Sequence, residues 1–262
     1  MSSPRVAVGV CLFAVLALSS VFGQNPPTSS PQAVAYAAES IAALTGGITI
    51  SDVTLTGSVT WNGSESGTAT LRVLGMGESR MDLALAIGTR TEIRDAQTGV
   101  PLGQWIAPSN ASGLFAPQNC ATDAAWFFPA LGSLAAGPNV VLSYIGQQTW
   151  NGTNVQHIQS YVYNAIQPPP GPGPSSQQLS TMDFYLDATS LLPVAITFNA
   201  HPDNNSGINL PVETDFSNYQ TIGGITVPMH IQKYQQGDLM IDVVVSGAAF
   251  NTGLQLSIFT VN

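Results

Sequence analysis

Alternation with a period of two dominates the chain. Val53, Leu55, Val59 and Trp61 share one face of a predicted strand, with Asp52, Thr54, Thr56, Ser58 and Thr60 on the other. Ala69, Leu71 and Val73 carry the return strand, and Met81, Leu83, Leu85 and Ile87 alternate with Arg80 and Asp82 in the next. Alternation resumes over Val140–Trp150 and Val155–Tyr163. The same four-residue word, Thr60-Trp61-Asn62-Gly63 and Thr149-Trp150-Asn151-Gly152, closes both hairpins. Asn-Gly marks a tight turn because both central residues need positive φ. Strands with one wet and one apolar face belong to an antiparallel sheet covered on one side.

The last third continues the pattern. Met182, Phe184 and Leu186 alternate with Asp183, Tyr185 and Asp187, and Leu192, Val194, Ile196 and Phe198 form the next predicted strand. Strands over Phe216–Thr221, Ile225–Ile231, Leu239–Val245 and Leu254–Phe259 complete a predicted meander. Two stretches break the period. Near the start, Ser30-Pro31 reads as an N-cap and first helical residue. Val34, Ala38, Ile41 and Leu44 follow as an apolar stripe, with Gly46-Gly47 as the stop. From about Gln97 to Pro138 the chain is apolar but neither strand-like nor long enough to span a membrane. Trp105, Pro108, Phe115 and Pro117 suggest irregular cover, and Thr122-Asp123 a cap for a short helix through Trp126, Phe127 and Phe128. This segment is expected to plug the sheet.

The order Phe184-Tyr185-Leu186-Asp187, Leu192-Pro193, Phe216-Ser217-Asn218-Tyr219, then Gly223-Gly224-Ile225-Thr226-Val227-Pro228, ending near Phe250-Asn251, carries a resemblance. It is similar to the C-terminal half of periplasmic proteins of the LolA/LolB lipoprotein-carrier type and related uncharacterised envelope proteins. The residue-level match runs from about Met182 to Phe259. The resemblance implies an open antiparallel sheet curved into a half-barrel, an N-terminal helix, and short helices covering the concave face. It also implies a groove able to hold acyl chains or another apolar ligand. No polar functional residue of the carriers has a counterpart that can be placed here.

Charge and the N-terminus set the compartment. Met1–Gly23 has the layout of a secretion signal: Arg5, an apolar core from Val6 to Leu18, and small residues Val21 and Gly23 before Gln24. Val10 before Cys11 is too large for a lipidation site, and residues 24–30 read as a tether. The rest, 31–262, is expected to be a single β domain with a Pro-rich loop at 167–178. A periplasmic or secreted location follows, with no transmembrane segment in the mature chain. Only 8% of residues are charged and the net charge is −9, with Arg72, Arg80, Arg90, Arg94 and Lys233 the basic residues outside the signal. No cationic stripe is available to displace counterions from a nucleic acid.

Catalytic and metal chemistry do not assemble from the sequence. Gly63-Ser64-Glu65-Ser66-Gly67 has Glu where a nucleophile elbow needs Ser. His157, His201 and His230 are too scattered for a zinc set, and His230 falls on the polar face of its strand. Asp203-Asn204-Asn205-Ser206-Gly207 fails the calcium-loop spacing. Asp183 and Asp187 would stand about 13 Å apart along one strand, too far to act as a pair. Cys120, alone after the signal, reads as a small buried hydrophobe. Asn62, Asn110, Asn151 and Asn204 open glycosylation triplets that matter only in a glycosylating host. The chain is therefore read as a non-enzyme without cofactor. It would bind an apolar ligand or a lipoprotein in a groove lined by Leu83, Leu85, Phe184, Ile196 and Met229. The alternatives are a structural or adhesive envelope protein, favoured by its acidic Ser/Thr/Asn-rich surface, and a hydrolase whose carboxylates converge only in space.

Overall fold

The computed structural model describes residues 27–75, 77–95, 101–131, 134, 139–163 and 174–261. The expected signal at 1–23, the start of the expected tether and most of the Pro-rich loop lie outside the described residues. The chain opens with helix α1 (Pro31–Thr45), whose Ser30 side chain accepts a hydrogen bond from the Ala33 N–H and whose end is closed by Gly46 at φ 60°. A first meander follows: β1 (Asp52–Trp61), β2 (Glu65–Leu74), β3 (Glu78–Leu85), β4 (Gly88–Asp95), β5 (Leu102–Ile106) and β6 (Ser112–Leu114). Helix α2 (Pro117–Thr122) and a single 3-10 turn (Pro129–Leu131) then cross the interior. The second meander comprises β7 (Val140–Trp150), β8 (Thr153–Val162), β9 (Met182–Asp187), β10 (Pro193–Ala200) and β11 (Leu210–Ser217), with the short helix α3 (Ser176–Ser180) before β9. A small separate hairpin, β12 (Gln220–Ile222) and β13 (Ile225–Val227), precedes β14 (His230–Gln235) and β15 (Asp238–Phe250).

Thirteen strands form one antiparallel sheet in the order β6-β5-β4-β3-β2-β1-β15-β14-β11-β10-β9-β8-β7. The two meanders meet where the last strand pairs with the first, Val53 opposite Phe250 through Trp61 opposite Ile241. The sheet stays open, with β6 and β7 at its edges. Its curvature is visible in one contact. β4 and β14 are five strands apart, on the order of 24 Å along the sheet. Arg94 of one and Lys233 of the other nevertheless reach the same carboxylate, Asp123.

The concave face carries the core. Val53, Leu55, Leu71, Leu83, Phe184, Ile196, Ile231 and Val243 join one buried cluster with Ala33, Ala37 and Leu44 of α1. Trp126, Phe127, Phe128 and Leu134 fill its centre. The expected plug is thus present, and the two Asn-Gly turns have positive φ at Asn62, Gly63, Asn151 and Gly152.

Several expectations are corrected. Helix α1 buries Ala33, Ala37, Ser40 and Leu44, while Val34 is exposed, so the buried stripe is rotated towards its smallest residues. Small side chains let the helix axis lie closer to the sheet. Asp123 ends a helix rather than starting one, and residues 124–127 are turns. Residues 102–106 and 112–114 extend the sheet instead of covering it. Ile87 is exposed in the turn after β3. A bulge between Pro193 and Ala195 separates Val194 from the inward set Ile196 and Phe198. The stretch Phe216–Thr221 divides between β11 and the small hairpin, as Ile225–Ile231 does between that hairpin and β14. Leu254–Phe259 is not a strand: β15 runs on to Phe250, and Leu256–Phe259 is a 3-10 turn.

Candidate functional site

The five residues expected to line a groove do converge. Leu83, Leu85, Phe184 and Ile196 are buried in the concave cluster, and Met229, partly buried, packs against it. With Trp126, Phe127 and Phe128 in place they are core residues, and none lines the clefts described below.

Beside this apolar field lies a charged cleft of about 260 Å³. Strand β4 supplies one wall. Its sequence, Gly-Thr-Arg-Thr-Glu-Ile-Arg-Asp, lacks apolar alternation, and hydrophobic patterning passed over it. Arg90 stands opposite Leu83 in the ladder and Glu92 opposite Met81. Directly opposed residues share a face, so β4 turns its charges towards the core side. The legible signal was a different alternation, Arg90-Glu92-Arg94, in a chain with very few charges.

The charges form a relay. Arg90 donates Nη2–H to Glu92 Oε1 at 2.6 Å, and Arg94 bridges Glu92 at 2.9 Å and Asp123 at 2.6 Å. Lys233, the only lysine, closes the chain of contacts on Asp123. Aromatic faces support the cations. The Arg90 guanidinium lies 5.2 Å from the Trp61 ring centre, Arg94 4.3 Å from Phe115, and the Lys233 ammonium 4.8 Å from Trp126. Arg94, Glu92, Asp123 and Lys233 each have side chains no more than 12% exposed. Burial works against the Glu92 carboxylate, but Arg94, Arg90 and Lys233 outweigh it and hold its pKa at about 2. Arg94 is raised, since Asp123 and Glu92 outweigh its burial. Lys233 is lowered: burial and the nearby Arg94 oppose its charge more than the carboxylates support it. Two polar atoms in this cleft are buried without a partner, Arg94 Nε and His201 Nε2. His201 donates from Nδ1 to the Ile208 carbonyl at 2.9 Å.

The opposite face of the sheet mixes polar residues with a small apolar cluster of Val155, Tyr185 and Ala195. Asp183 accepts from His157 and Gln159, and His230 and Gln232 both bond Asp242. Asp183, Thr197, Glu213, Asp215 and Tyr234 border a cleft of about 420 Å³. Burial and neighbouring Glu213, which also hydrogen-bonds it, push Asp215 up to about 7. The carboxylates that converge here are Glu213 and Asp215, with Asp183 on the same cleft; Asp187 is not among them. Asp187 instead accepts the Thr189 and Ser190 N–H groups in its own turn. Asp203, of the oxygen-rich loop, accepts the Ala116 N–H at 3.1 Å. Cys120 is fully buried, and burial pushes its thiol up to about 11.

No protein-family model and no curated protein matches this chain. Solved structures do. An outer membrane lipoprotein-sorting protein domain from Vibrio parahaemolyticus aligns over 87% of this chain and 96% of its own, with TM-score 0.54 and 13% identity. A LolA superfamily protein from Nitrosomonas europaea aligns over 87% and 97%, with TM-score 0.52 and 10% identity. The fold is LolA-like. A DUF1329 family protein from Desulfovibrio piger shares it, with TM-score 0.54, 10% identity and coverage of 89% and 98%. At such identities the likeness concerns the path of the chain.

Proposed function

We propose that the chain is an exported binding module that holds an apolar ligand, a lipid or a lipoprotein acyl chain, on the concave face of its half-barrel. One observation carries the reading. The concave face is closed by helix α1, the small β12–β13 hairpin and an aromatic segment, not by a second large sheet packed face to face. Phe127 and Phe128 share one buried cluster with Leu83, Leu85, Phe184 and Ile196, against which Met229 packs, and an acyl chain would take their place in it. Support comes from the signal-like residues 1–23 and from the lipoprotein-sorting description of the Vibrio structure with this fold.

The test is native mass spectrometry with organic extraction on protein purified gently from an exporting host. Lipid that follows the folded protein and is displaced by a fluorescent fatty acid is the expected result. Clean protein that takes up no probe overturns the reading. A structural envelope protein is then the better account, and the full packing of Leu83, Phe184 and Ile196 is the observation in its favour.

A further inference from the structure

The charged cleft has more positive charge than its own carboxylates use. Among residues outside the signal, three of the five basic side chains converge on it, Arg90, Arg94 and Lys233. Among the described residues only Glu92 and Asp123 pair with them there, which leaves an excess of one positive charge in a chain whose net charge is −9. The other two, Arg72 and Arg80, are both committed to Asp82. A buried charge excess is costly unless something neutralises it. The unpartnered Arg94 Nε–H adds a donor that the protein itself leaves unused.

Size and surroundings narrow the ligand. About 260 Å³ is less than the roughly 300–1,000 Å³ of sites that enclose a whole small molecule. It suits one polar group. The cleft also merges with the apolar field: Ile241 and Val212 belong both to its wall and to the core cluster, and Leu83 is the cross-strand neighbour of Arg90. Guanidinium groups favour planar or tetrahedral oxyanions, which accept several N–H bonds at once.

We propose that this cleft is an oxyanion subsite, receiving the carboxylate or phosphate headgroup of an amphiphile whose tail lies along the concave face. The inference rests on the carrier reading for the tail but not for the anion. Arg90 is its outermost cation and the least buried, at 19% exposure, so it is the residue that can engage a ligand without breaking the inner pairs.

The experiment compares decanoate, decyl phosphate and decan-1-ol with acetate and inorganic phosphate, by calorimetry on the purified protein. Decanoate or decyl phosphate should bind at least about tenfold tighter than decanol, the scale of a charge-assisted hydrogen bond. Arg90→Gln should abolish that preference without changing decanol binding, and Arg90→Lys should restore part of it. Arg72→Gln, which alters the remote Asp82 cluster, should leave it intact. Circular dichroism identifies any variant that fails to fold, and the wild-type comparison stands regardless. Equal binding of decanol and decanoate overturns the anion subsite and leaves the carrier reading in place. Acetate or phosphate binding as tightly as their decyl counterparts, with no decanol binding, supports the subsite as one for small anions and removes the carrier reading. No binding by any probe overturns both.

Discussion

Asp123 shows how much can depend on one side chain. Among the described residues it is the ion-pair partner of Lys233 and one of two carboxylates on Arg94, and it sits at the end of α2 where the chain turns into the aromatic plug. Asp123→Ala leaves a buried ammonium unpaired and should lower stability by about 3–5 kcal/mol in urea titration. Lys233→Met should cost less, because Arg94 still neutralises Asp123. The titrating groups add a pH profile. Glu92 is protonated near 4.5 when unfolded but near 2 when folded, so its contribution is complete above 4.5 and is lost as pH falls towards 2. Asp215 has the opposite sign. Its folded pKa near 7 lies above the ordinary 3.8, so stability declines as pH rises from about 4 to 7. Urea midpoints measured against pH should therefore fall off on both sides. Glu92→Gln should remove the acidic limb that Glu92 adds, and Asp215→Asn should raise the midpoint at pH 8 while changing little at pH 4.

Elements are constrained by how closely they approach. Where β15 bulges at Ser246, opposite the step from Thr56 to Gly57 in β1, a Cβ on Gly57 would lie 2.1 Å from the Val244 carbonyl oxygen of β15. The seam between the two meanders thus needs a bare backbone at that point. Gly57→Ala should cost about 1–3 kcal/mol, the usual scale of overpacking, seen as a lowered thermal midpoint. At the centre of the plug, Phe128→Ala removes a fully buried ring and should cost about 3–5 kcal/mol. Helix α1 follows the same geometry from the other side, since its buried face is Ala33, Ala37 and Ser40 rather than the bulkier Val34.

At the scale of the whole molecule, an open sheet has two edges to manage. Strand β6 is three residues long, which leaves little template for pairing. Strand β7 is eleven residues long and more vulnerable. Its middle is broken by a shift in register between Tyr144 and Gly146, and Leu142 is covered by the residues before α1. The Ser30 N–H donates to the Leu142 carbonyl at 2.7 Å, and the Leu142 N–H to Ser29 Oγ at 3.1 Å. A chain beginning at Pro31 should therefore self-associate more than one beginning at Gln24, as read by sedimentation velocity.

The sequence by itself determined the local grammar. Period-two patterning located the hairpins of β1–β2 and β7–β8, Asn-Gly placed their turns, and Ser30-Pro31 with Gly46 bounded α1, because backbone sterics and capping act within a few residues. The burial of Leu83, Leu85, Phe184 and Ile196 was legible for the same reason: apolar alternation reports which face is buried. What stands opposite that face is another matter. The pairing of β1 with β15 and the charged cleft depend on residues some 30 to 200 positions apart. Arg94, Asp123 and Lys233 meet only because the sheet curves, and a buried charge looks like a solvated one until its partner comes across the fold. Tertiary structure decided the candidate site because electrostatic pairing depends on distance in space, and the chain encodes only distance along itself.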